Sequence, residues 1–167
     1  MKKLLSLILV CVLLLGLCPA ALATEAQYAS TKSFLTLMHA LSIKYMVGGM
    51  DSSNNELVVI SNSDSELNFE YTVAFFFDSD EAHCSIRVWE IISFADVDFA
   101  KVLRTVNSLN TKFKYVKFYV DEDDNTVTAS MDLIYTAETA GQVVMEGMLR
   151  AMSILEDSYP DLAVYNK

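Results

Sequence analysis

Three stretches of this chain alternate apolar and polar side chains with a period of two, and this constrains the fold more than any other feature. Leu67, Phe69, Tyr71, Val73 and Phe75 share one side; Ala82, Cys84, Ile86 and Val88 repeat the pattern, as do Val127, Ala129, Met131 and Leu133. Successive side chains of a strand point to opposite faces, so each stretch is a strand with one apolar face and one polar face. The polar set is Glu66, Asn68, Glu70 and Thr72, then His83, Ser85, Arg87 and Trp89, then Thr128, Ser130 and Asp132. A fourth stretch separates Val116, Phe118 and Val120 from Tyr115, Lys117 and Tyr119.

Strands are expected over residues 57–60, 67–77 and 82–92, divided by the turn-forming runs Asn62-Ser63-Asp64 and Asp78-Ser79-Asp80. These short joins imply an antiparallel meander. Residues 113–120 and 126–135 form a hairpin around the acidic run 121–125. Helices flank the strands. Ser30-Thr31 cap a first one, whose stripe is Phe34, Leu37, Met38, Leu41 and Tyr45, with Gly48-Gly49 breaking it. A second spans 98–110 with Phe99, Val102, Leu103, Val106 and Leu109 on one side; a third is capped by Thr136 and runs to about Tyr159, before Pro160. The expected fold class is α+β, a five-stranded antiparallel sheet with helices in the order α-β-β-β-α-β-β-α.

Ahead of this domain, Met1-Lys2-Lys3, an apolar run over residues 4–17 and Ala21-Leu22-Ala23 have the form of a secretory signal peptide over residues 1–23. The run is shorter than the roughly 20 residues that span a bilayer, so no membrane anchor is expected to remain. Cleavage leaves a single domain over residues 24–167 and places the protein outside the cytoplasm, secreted or periplasmic. Lys2 and Lys3 leave with the leader, taking the net charge from −10 to −12. Such a chain has no basic footprint for a nucleic acid. Cys11 and Cys18 leave as well, so Cys84 has no disulfide partner.

Catalytic and cofactor signals are weak. His83 and Cys84 adjoin in a strand and therefore point to opposite faces, which prevents them from acting as base and nucleophile together. His39 lies apart on the first helix, and no G-x-S-x-G, H-E-x-x-H or phosphate-cradling loop is present. Asp121, Asp123, Asn125 and Asp132 fall at positions one, three, five and twelve of a calcium loop. Thr126 at position six, where glycine makes the sharp turn, favours a solvated hairpin instead. No enzyme activity, cofactor or metal is expected; the alternatives are an enzyme or enzyme accessory whose site lies outside recognisable motifs, and a calcium-responsive binding module.

Association is the better-supported chemistry. Trp89, Tyr115 and Tyr119 are aromatic islands on the polar sheet face, either covered by the second helix or left as an anchor patch for a protein or peptide partner. Met145, Met148 and Met152 lie on a last helix that is apolar over a wide arc, which suits either the centre of a core or a face shared with a partner, including a second copy.

Val106-Asn107-Ser108-Leu109-Asn110, followed by Phe118-Tyr119-Val120-Asp121 and Thr126-Val127, resembles the YbjN family, with its N-x-x-N helix end, hairpin and final helix. The resemblance implies a fold similar to that of type III secretion chaperones and a role in protein association, regulatory or chaperone-like, with no catalytic residue. Asn107 and Asn110 have a physical role of their own near a helix C-terminus, where asparagine tolerates left-handed backbone and satisfies carbonyls. The export signal departs from the cytoplasmic character of many relatives, and Asp124-Asn125 stands where a hairpin glycine is common.

Overall fold

The computed structural model describes residues 25–167; the signal peptide expected over 1–23 lies outside the described residues. Its elements are α1 (Ala29–Ala40), β1 (Met46–Met50), β2 (Glu56–Asp64), β3 (Phe69–Phe77), β4 (His83–Ser93), a 3-10 turn (Asp96–Asp98), α2 (Phe99–Lys112), β5 (Lys117–Asp121), β6 (Thr126–Ile134) and α3 (Ala140–Ala163). The strands form one sheet in the order β1-β2-β3-β4-β6-β5, every neighbouring pair antiparallel. The α+β class with an antiparallel sheet stands. The strand count does not: among the described residues the sheet has six strands, not five.

The additional strand is β1, in the region where the first helix was expected to continue. That helix stops at Ala40, because Ser42 adopts a left-handed conformation (φ 58°) and turns the chain away, leaving Leu41 exposed. Gly48 and Gly49 then act as a bulge in β1. A Cβ on Gly48 would lie 2.8 Å from Leu57 Cδ2, and Gly49 has φ +82°, so the pair permits both a close approach and a backbone bend. Asn62-Ser63-Asp64 is strand rather than turn, paired with Tyr71, Glu70 and Phe69. The chain reverses one step later, where Asp64 Oδ1 accepts hydrogen bonds from the amides of Glu66 and Leu67.

Helix starts also differ from expectation. Ser30 and Thr31 do not cap α1; both are buried inside its first turn. Carboxylates distant in sequence do this instead. Glu56, fully buried, accepts from Gln27 N at 2.6 Å and Tyr28 N at 3.1 Å, while Glu81 accepts from Ala29 N at 2.7 Å and Ser30 N at 3.2 Å. Negative charge at a helix N-terminus satisfies orphan donors and complements the dipole. Thr136 is followed by a turn in which Thr139 N and Ala140 N donate to its carbonyl, so α3 begins later than expected. Pro160 does not end α3 but lies in its last turn, where its missing N–H leaves the Glu156 carbonyl without its intrahelical donor.

The helices pack on one side of the sheet. Phe34 of α1 meets Phe75 and Phe77 of β3, with ring centroids 5.0 and 5.7 Å apart. Tyr159 of α3 stacks on Phe69 of β3 at 3.9 Å. Val102, Val106 and Leu109 give α2 its buried face, over β5 at the far edge. Between helices and sheet, Val73, Phe75, Phe77, Cys84, Ile86, Val88, Val127 and Ala129 are buried, as the alternation requires. No described helix is long and apolar enough to cross a membrane.

Candidate functional site: the open face of the sheet

With the helices on one side, the residues of opposite parity form a second surface. One rung crosses the whole sheet, from Met46 through Val59, Ala74, Arg87 and Ser130 to Lys117. The adjacent rung is Gly49, Leu57, Phe76, Ser85 and Asp132. Trp89 is 49% exposed and Tyr119 43% exposed on this same side, so α2 does not cover them. The Trp89 ring meets Phe76 edge-on, at 5.8 Å and 86°. Such T-shaped pairs are favourable electrostatically and hold both rings in place.

A bulge in β4 explains why this surface ends at Trp89. The β4–β6 register shifts between Val88 and Ile92, and Glu90 takes a left-handed φ of 55°. Ile91 and Ile92 are consequently both buried, while Trp89 keeps its place on the open side. Beside the aromatic pair, Asp132 Oδ1 accepts from Ser85 Oγ and from Arg87 Nη1, each at 2.8 Å. Partial burial pushes the Asp132 carboxyl upward, but the Ser85 hydroxyl and the Arg87 guanidinium outweigh it and hold the group below the usual carboxylate range. The open face is thus an aromatic and aliphatic patch beside a hydrogen-bonded charge pair, which is the composition of a recognition surface.

The other sequence candidates separate from it. Tyr115 is exposed but lies before β5, with the Arg150 guanidinium of α3 at 4.4 Å from its ring, a cation–π contact on the helical side. Met145 and Met148 belong to the core, and Met152 is partly buried against it. Of the two readings that their helix left open, core or partner face, Met145 and Met148 take the core one: α3 touches α1, α2, β4 and β6, and this central position takes up its wide apolar arc.

Cys84 is buried, and burial pushes its thiol well above the ordinary range; His83 faces outward, its Nδ1 2.6 Å from Asp80 Oδ2. The calcium-loop spacing is not realised either. Asn125 Nδ2 donates to Asp96 at 2.5 Å, and Asp132 lies along β6 beside Ser85. Sequence reasoning missed a different grouping, Asp78, Asp80 and His83, which bring one ligand atom each within 4.8 Å of one another at the β3–β4 turn. Its D-x-D-x-x-H spacing was the available signal.

Asn110 has a specific task. Its Nδ2 donates to the Phe118 carbonyl and its Oδ1 accepts from the Phe118 amide, both at 2.8 Å, so one side-chain amide serves the outer edge of β5 as a neighbouring strand would. The YbjN family profile, described as "Putative bacterial sensory transduction regulator", matches residues 36–162. The chain belongs to the YbjN family. A solved structure, titled "Crystal structure of YbjN, a putative transcription regulator from E. coli", is similar to it with a TM-score of 0.48 and 10% identity, covering 83% of this chain and 94% of that one. No curated protein matches this chain.

Proposed function

We propose that this YbjN-family chain is a noncatalytic regulatory domain, exported from the cytoplasm, that acts by holding another protein on its open sheet face. The observation that carries the reading is the placement of Trp89, paired with Phe76 and accompanied by Tyr119, on the sheet side that the helices leave uncovered. Tryptophan and tyrosine held on a rigid strand supply large contact area at little entropic cost, the profile of an interface anchor. The family's description as sensory transduction regulators supports association over turnover. The leader pattern of residues 1–23 supports export.

The test is photo-crosslinking in producing cells. A benzoylphenylalanine probe at Tyr119 is expected to capture one discrete protein from the envelope or medium, and Trp89→Ala is expected to abolish that product. A probe at Gln142, on the helical side, serves as the reference. Capture from Gln142 alone would overturn the assignment, and capture of a second copy from Tyr119 would make the partner the chain itself.

A further inference from the structure

The β3–β4 turn brings together three side chains that the aromatic patch does not use. Asp78, Asp80 and His83 each offer one ligand atom, all within 4.8 Å of one another. Paired strands hold the two ends of the turn. Asp78 N donates to the His83 carbonyl at 3.1 Å, the Tyr135 hydroxyl donates to the same carbonyl at 2.8 Å, and Phe77 pairs with Cys84 just inside. Asp80 is fixed through its Oδ1, which accepts from Ala82 N at 2.8 Å, and this leaves Oδ2 facing His83 Nδ1 at 2.6 Å. The Asp80 and His83 side chains are about half exposed, so an ion reaches both from solvent.

Donor type decides which ion such a set holds. Carboxylate oxygens alone suit calcium or magnesium, whereas an imidazole nitrogen among them selects a first-row transition ion. Zinc takes three protein ligands with water completing the tetrahedron, at about 2.0–2.2 Å from each. Two ligand atoms sharing such an ion stand about 3 Å apart, so a small opening of the Asp80–His83 contact seats it. Charge favours it as well: burial and then the Asp80 carboxylate push the Asp78 carboxyl upward, His83 opposes them, and Asp132 and Asp51 add to them.

We propose that Asp78, Asp80 and His83 bind a zinc ion, which locks the β3–β4 turn and the start of α1 together. The link is Glu81. It lies inside the same turn at a left-handed φ of 54°, and its carboxylate accepts from the amides of Ala29 and Ser30. An ion on Asp80 and His83 restrains Glu81 from both sides along the chain. The site lies one rung beyond Phe76 and Ser85, at the rim of the open face, and it requires neither Trp89 nor a partner.

The probe is zinc chloride, titrated in competition with a chromophoric chelator into the purified protein after EDTA treatment and dialysis. Saturable binding of a single equivalent is expected. His39 and His83 are the chain's two histidines, so imidazole NMR separates them: the His83 signals are expected to move and those of His39 to stay. Amide exchange at Ala29 and Ser30 is expected to slow. His83→Ala, an exposed change that leaves the core intact, is expected to weaken zinc binding by more than about tenfold, and Asp78→Asn to do the same. His39→Ala, Trp89→Ala and an excess of calcium chloride are expected to leave it unchanged. The proposal is overturned if zinc binds only as several weak equivalents, if the His39 signals move instead, or if His83→Ala binds as tightly as the wild type. Displacement of zinc by calcium, or unchanged exchange at Ala29 and Ser30 in the zinc-bound protein, would also overturn it.

Discussion

The two faces of the sheet are built from the same strands and the same alternation, yet they perform different work. Phe75 and Phe76 are adjacent in β3; the first is fully buried under Phe34, whereas the second stays partly open and meets Trp89. The packed core is concentrated on the helical side, and the other side carries the recognition surface proposed above. A single-residue step along the strand moves a side chain from one role to the other.

The strongest way to break this contrast is to truncate both phenylalanines. Phe75→Ala should cost about 3–5 kcal/mol in urea unfolding, the usual cost of emptying a packed aromatic site. Phe76→Ala should cost much less, and equal losses would remove the distinction. Glu56→Ala should cost about 2–3 kcal/mol, since it strands the amides of Gln27 and Tyr28. Glu56→Gln, which keeps an accepting oxygen, should cost less by the same measurement. On the open side, Trp89→Ala should lower stability by under about 1 kcal/mol, the scale of one aromatic pair. As Trp89 is the chain's one tryptophan, iodide should quench the native fluorescence, and an unquenched signal would mean that the face is covered.

The smallest effect concerns pH. The Asp132 carboxyl lies below its ordinary value in the folded chain, so its contribution is present above the unfolded value of about 3.9 and is lost as pH falls through the folded one. Asp132 is largely exposed, which limits the amount to a few tenths of a kcal/mol at most. The difference in stability between the wild type and Asp132→Asn, present at pH 6, should vanish near pH 2.

Much of this contrast was legible in the sequence, because a sheet with one covered face imposes strict alternation on every strand. Phe69, Tyr71, Val73, Phe75 and Phe77 obey it, as do Cys84, Ile86 and Val88; Ala74 is the exception, buried although it lies on the open side. The bulge at Glu90 was not legible: Ile91 and Ile92 are both buried, and no local composition announces the extra residue. Strand β1 escaped because Met46-Val47-Gly48-Gly49 has low strand propensity and gains its place by pairing with β2. Met145 and Met148 could not be assigned from their helix alone, since a wide apolar arc looks the same whether the cover is the protein's own sheet or a partner. Of the aromatic trio, Tyr115 was grouped with Tyr119 by strand parity, although the strand begins only at Lys117.

The carboxylates at the start of α1 have a consequence for the order of assembly. The helix carries no side-chain cap of its own, and the groups that hold its first amides lie 28 to 52 residues further along the chain. A polypeptide emerging from its amino end first must therefore keep this segment waiting until Glu81 has been made. The earliest part of the domain to be synthesised is among the last to be secured.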